Sequence, residues 1–124
     1  MLIDSLNETI NDVQNALLSR NVVSGITQDV EVNSIYIPQN VALTTFQLPD
    51  TCAAGQRVSI AGFGSGGWII LNGAGQSIHI AGVATATVSI ASASRYDSID
   101  LICVENNLTW VTLGAPSSSG LVVI

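Results

Sequence analysis

Few side chains in this 124-residue chain could do chemistry. His79 is the only histidine, so any Ser-His-Asp triad or histidine metal site would have to use it. It stands between Ile78 and Ile80 in a strand-like run, with no carboxylate or cysteine at metal-ligand spacing, and reads as a surface or subunit-interface histidine. Asp97 and Asp100 flank a strand start three residues apart, and with Glu105 they could supply a hydrolase carboxylate pair or part of a calcium site. They form no recognisable calcium loop, and acids beside β-turns commonly serve as solvated caps. Gly62, Gly64 and Gly67 satisfy G-x-G-x-x-G, yet the following Trp68-Ile69-Ile70-Leu71 is strand-like, whereas a dinucleotide pyrophosphate needs a helix N-terminus. A tight β connection accounts for these glycines. With no lysine and no nucleophile motif, the expectation is no catalytic residue, no metal and no cofactor: a protein that is not an enzyme.

Recognition or architecture is what remains. Trp68, Trp110, Tyr36 and Tyr96 are the rings a carbohydrate face would use, because an aromatic plane covers sugar C–H surface while polar neighbours bond hydroxyls. Trp68 and Trp110 lie in strands beside Ile and Val and are expected in the core. Arg95, Tyr96 and Asp97, in a polar turn, offer a donor, a plane and an acceptor in succession and form the candidate ligand-binding triplet. The alternative is a turn that satisfies itself, Arg95 pairing Asp97 with Tyr96 packed beneath. Cys52 and Cys103 permit one disulfide but fall short of a disulfide-rich scaffold, so free thiols are expected.

The elements that must position these residues fall into two segments. Residues 1–20 carry Ile3, Leu6, Ile10, Val13 and Leu17 at spacings 3, 4, 3, 4, with polar residues between. Ile3, Ile10 and Leu17 at a, with Leu6 and Val13 at d, predict a short trimeric coiled-coil helix; an amphipathic helix packed on its own domain is the alternative. Residues 21–124 have no helical period. Strand-like runs through 28–32, 35–37, 41–48, 57–61, 68–71, 77–80, 85–90, 98–104, 109–113 and 121–124 recur about every 8–12 residues, predicting an antiparallel β-sandwich or jelly roll. The last run, Leu121-Val122-Val123-Ile124, is expected to be a strand covered by the sheet or a neighbouring subunit. Gly55-Gln56-Arg57-Val58-Ser59-Ile60-Ala61-Gly62 recurs as Gly75-Gln76-Ser77-Ile78-His79-Ile80-Ala81-Gly82, each a turn followed by a strand. Two copies fall short of the three a solenoid needs, and a triple β-helix stands as the lesser alternative.

Composition narrows the partners. Nine acidic residues against three arginines give a net charge of −6, which disfavours nucleic acid and anionic membrane surfaces. Charged residues make up 10% and apolar residues 48%, against about 25% charged in ordinary soluble domains, so a lone chain has little with which to cover its surface and an oligomer is expected. No apolar run approaches the roughly 18–20 residues of a membrane span, and Met1-Leu2-Ile3-Asp4 lacks the basic flank of a signal peptide. Membrane insertion is not expected.

Leu48-Pro49, Ala54-Gly55-Gln56-Arg57-Val58, Gly62-Phe63-Gly64-Ser65-Gly66-Gly67-Trp68, Gly75-Gln76-Ser77-Ile78-His79, the stretch from Ser92 to Cys103, and Trp110-Val111 occur in an order that resembles the C-terminal heads of phage tail fibres and related bacterial trimeric adhesins. The resemblance covers about residues 28–124. It implies a compact β head of three chains on a coiled-coil or collagen-like stem, displayed at an extracellular surface on a virion or cell-surface fibre and binding a host glycan or protein receptor. It also implies that Cys103, matching a position in a buried strand, is an inert packed thiol; it assigns no ligand residues. Two other functions compete: a purely structural trimerisation or capping domain, and a tailspike-like glycan hydrolase.

Overall fold

The structure is a computed structural model and describes residues 19–80, 86–87, 89–113 and 122–123. The expected seam Ile3, Leu6, Ile10, Val13 and Leu17 lies outside the described residues. Ser19 and Arg20, placed above at the end of the helical segment, are instead in strand.

Among the described residues twelve strands form two sheets: β1 (Ser19–Val23), β2 (Thr27–Asp29), β3 (Ser34–Pro38), β4 (Thr44–Gln47), β5 (Arg57–Ala61), β6 (Trp68–Leu71), β7 (Ser77–His79), β8 (Ala86–Thr87), β9 (Ser89–Ala91), β10 (Ser98–Glu105), β11 (Thr109–Thr112) and β12 (Val122–Val123). The seven-stranded sheet runs β1-β3-β5-β10-β11-β7-β8 and the five-stranded sheet β12-β9-β6-β4-β2. The chain first alternates between them, so β1/β2, β3/β4 and β5/β6 stack as three rungs with parallel pairing on both sides. It then returns antiparallel: β9 on β6, β10 on β5, and the β10–β11 hairpin, with β7 parallel to β11.

The expectation of an antiparallel sandwich is therefore corrected to two mixed sheets. Alternation of apolar residues is the same for either strand direction, so it located the strands without fixing how they pair. The run through 85–90 divides: Ala86–Thr87 pairs with β7 in one sheet and Ser89–Ala91 with β6 in the other. The run at 41–48 shortens to β4, because Val41, Ala42 and Leu43 form the corner leading into it. Val122–Val123 does form a strand, paired antiparallel with β9.

The core lies between the sheets. Tyr36, Val58, Ile60, Ile78, Leu101, Cys103 and Trp110 point inward from the larger sheet and Phe46, Trp68, Ile70 and Ile90 from the smaller, in one buried cluster. Tyr36 and Phe46 meet across it at 5.5 Å between ring centroids. Both tryptophans are fully buried, as expected from their strand context. Each buried indole N–H needs an acceptor, and Trp68 donates to the Asp97 carbonyl (2.9 Å) and Trp110 to Gln76 Oε1 (3.0 Å).

The glycines of 62–67 have a packing role. Gly64 and Gly66 lie against the β3–β4 corner, donating N–H to the Pro38 and Asn40 carbonyls. A Cβ on Gly64 would strike the Asn40 carbonyl and one on Gly66 the Ala42 carbonyl, so only glycine allows the two corners to stack. β6, not a helix, follows them, so no helix N-terminus awaits a phosphate here.

Candidate functional site

Three turns lead into strands of the larger sheet, and they share one design. In Ala53–Gln56, Gly73–Gln76 and Ser94–Asp97 the fourth residue's N–H donates to the first residue's carbonyl, at 3.1, 3.1 and 3.2 Å. The third residue is left-handed in each: Gly55 at φ 96°, Gly75 at 72° and Tyr96 at 71°. The second residues are not left-handed, which defines type II turns. The fourth side chain folds back in all three to accept the first residue's N–H: Gln56 from Ala53 at 2.8 Å, Gln76 from Gly73 at 3.0 Å, Asp97 from Ser94 at 2.8 Å. The two-copy repeat thus has a third member, in which Tyr stands for Gly and Asp for Gln.

The substitution matters because a type II turn favours Gly or Asn at its third position. Left-handed backbone costs an ordinary L-residue about 1–2 kcal/mol. Among the described residues, the non-glycine residues with positive φ are Asn33, Asn107 and Tyr96, and of these only tyrosine has a bulky ring. The residue is also 61% exposed, so it does not offset that cost by filling the core. Backbone strain of this kind, held by well-satisfied surroundings, clusters at functional sites.

The surroundings are well satisfied. Asp97 is buried, and its Oδ2 accepts N–H bonds from Ala93 (2.7 Å) and Ser94 (2.8 Å). Its carbonyl accepts from Trp68 Nε1 and from the Gly62 N–H. Arg95 Nε donates to the Phe63 carbonyl at 3.0 Å, and its guanidinium carbon stands 4.8 Å from the Tyr96 ring centroid, a cation–π stack. Phe63, 52% exposed, completes the group with its ring 6.4 Å from Tyr96 at 56°.

The structure thus brings Arg95 and Tyr96 together on the surface and turns Asp97 inward, where it holds the turn. Phe63 was missed from sequence. Its signal was present: an aromatic between Gly62 and Gly64, in a connection rather than a strand, has no sheet face to bury it. The other candidates do not converge with this surface. Tyr36 is buried, its hydroxyl accepting the Glu31 N–H at 2.8 Å. Asp100 takes a hydrogen bond from Ser59 across the β5–β10 pair, and Glu105 from Thr109 Oγ1 at 3.0 Å. His79 is half-buried on β7 beside Ser77 Oγ, 3.3 Å away. Among the described residues no three His, Cys, Asp or Glu side chains cluster as metal ligands would.

The chain matches no protein-family model and no curated protein sequence.

Proposed function

We propose that this chain is the head domain of a homotrimeric attachment fibre and that Phe63, Arg95 and Tyr96 form its receptor-contacting surface, with a neutral cell-surface glycan as the ligand. The observation that carries this reading is the exposed tyrosine at a turn position that favours glycine. Two aromatic planes and an arginine fork match what a sugar presents, apolar C–H faces edged by hydroxyls. A net charge of −6 disfavours sulfated chains. Three heads on one stem raise avidity without tight single sites. Subunit contact is supported by the larger sheet's outer face, where Val22 and Val104 are exposed and Ile37, Ile102 and Val111 half-buried within a single chain.

The test compares the parent with Tyr96→Gly on an array of neutral and sulfated bacterial glycans. Expected are neutral-glycan binding by the parent, its loss in the variant, and unchanged oligomer mass by light scattering. No binding by the parent, or equal binding by both, overturns the glycan site. A monomer at micromolar concentration overturns the trimer. A second reading, a structural cap that binds nothing, is favoured by the Arg95–Phe63 bond, through which the group satisfies part of its own polarity. It requires Tyr96→Gly to destabilise the head.

A further inference from the structure

Cys52 and Cys103 lie 51 residues apart in sequence and face each other, Sγ to Sγ, at 2.8 Å. Both are buried, Cys103 completely. Their approach is imposed by the surrounding backbone. The loop carrying Cys52 is laced to the β10–β11 hairpin: Cys52 N–H donates to Asn107 Oδ1 and Asn107 N–H to the Cys52 carbonyl, both at 2.8 Å. Ala54 N–H donates to Asn106 Oδ1 at 2.8 Å, Gly55 N–H to the Cys103 carbonyl at 2.8 Å, and Cys103 N–H to the Gln56 carbonyl at 2.9 Å. Five hydrogen bonds therefore hold the two sulfurs together, none of them made by a thiol. The sides of the pair differ in access. Cys52 borders an open cleft of about 410 Å³ lined with Thr51, Ala53, Gln56, Asn106 and Asn107, whereas Cys103 is on the inward face of β10.

We propose that Cys52 and Cys103 are a site of oxidative cross-linking, in which a low-molecular-weight disulfide enters through the cleft, is captured by Cys52, and is resolved by Cys103 to an intramolecular disulfide. Cys52, as thiolate, attacks one sulfur of the small disulfide; that S–S bond breaks, and one small thiolate leaves and takes up the proton Cys52 released. Cys103, as thiolate, then attacks Cys52 Sγ and expels the second small thiolate, which takes the proton from Cys103. Two protein thiols are oxidised by two electrons, and one small disulfide is reduced to two thiols. The order follows access, and it agrees with chemistry: burial first, then the neighbouring Cys52 sulfur, pushes the Cys103 thiol up to about 11, which makes it the poorer initial nucleophile. The bond would tie the 49–56 loop to the hairpin and enclose strands β5 to β9 and most of β10, irrespective of whether the head binds a glycan.

The experiment treats the phosphine-reduced full chain with oxidised glutathione, followed by denaturing alkylation, peptide mapping and thermal melting. Expected are no alkylatable thiol, a peptide linking Cys52 to Cys103 within one chain, and a melting temperature higher by on the order of 10 °C for closing a loop of this length. Cys103→Ala, which leaves Cys52 without its resolving partner, should stop as a single glutathione adduct on Cys52; Cys52→Ala should acquire none. Two free thiols in the oxidised parent, a persistent glutathione adduct on the parent, or an adduct on Cys103 in Cys52→Ala would each overturn the proposal. Reduced parent and variants melting together would show that the substitutions leave the fold intact, and a linked parent melting no higher than reduced protein would overturn the stapling role.

Discussion

The turns at 73–76 and 94–97 have the same hydrogen-bond plan and opposite consequences. At 73–76 every choice serves the fold: Gly75 takes the left-handed position without steric cost, and Gln76 spends its whole amide on the interior. Its Oε1 accepts from Gly73 N–H and Trp110 Nε1, and its Nε2 donates to the Pro49 carbonyl at 2.7 Å. At 94–97 the anchor is equally committed, Asp97 being buried and bonded to two amides, but the left-handed position carries an exposed tyrosine. One plan thus yields a purely internal joint and an outward-facing one. A surface feature that a scaffold strains to present is separable from the residues that hold it.

This separation can be broken or sharpened by substituting equivalent positions. Gln76→Ala should do the most damage, losing three hydrogen bonds and orphaning a buried indole N–H, at about 3–4 kcal/mol in denaturant unfolding. Asp97→Ala comes next, with two amides left without their carboxylate, at about 2–3 kcal/mol. Gln56→Ala should cost less than about 1 kcal/mol, because the Ala53 amide it serves lies in an exposed residue and water can replace it. If Gln56→Ala matched Gln76→Ala, the distinction between interior and surface turns would fail. Tyr96→Gly should remain within about 1 kcal/mol of the parent, the relieved backbone offsetting the lost cation–π contact, whereas Tyr96→Ala keeps the strain without the ring and should be less stable than Tyr96→Gly by about 1 kcal/mol. Equal stability of the two variants would contradict the left-handed turn.

The last effect concerns pH. In the reduced protein burial raises the Cys103 thiol from 9.0 to about 11, so the folded state holds this proton more tightly than the unfolded state. That contribution is complete below pH 9 and is lost as pH rises through 11. Reduced protein should therefore show an extra decline in melting temperature across this window that protein linked through Cys52 and Cys103 lacks.

Much of this arrangement was legible in the sequence because local physics controls it. The runs at 57–61 and 68–71 coincide with β5 and β6, since each is a short run of β-forming apolar residues bounded by glycine-rich connections. Trp68 and Trp110 were legible as core for the same reason. Strand direction was not, because the parallel rungs arise from how corners carry the chain between sheets, and alternation is blind to direction. The third turn was hidden by its own residues: Tyr for Gly and Asp for Gln keep the hydrogen bonds and erase the letters. The Cys52–Cys103 meeting was hidden as well, since Asn106 and Asn107 bring the sulfurs together and no short-range pattern reports it.

The stacked corners carry a consequence for how such a surface could diversify. Gly64 and Gly66 cement the 62–67 connection to the backbone of residues 39–42, so neither segment can lengthen or shorten without prising the other away. Side chains on that same rim remain open, Val41 being 88% exposed and Phe63 projecting beside Tyr96. Variation there is confined to identity rather than length: related chains should keep the lengths of the 39–43 and 62–67 connections while differing at 41, 63 and 96.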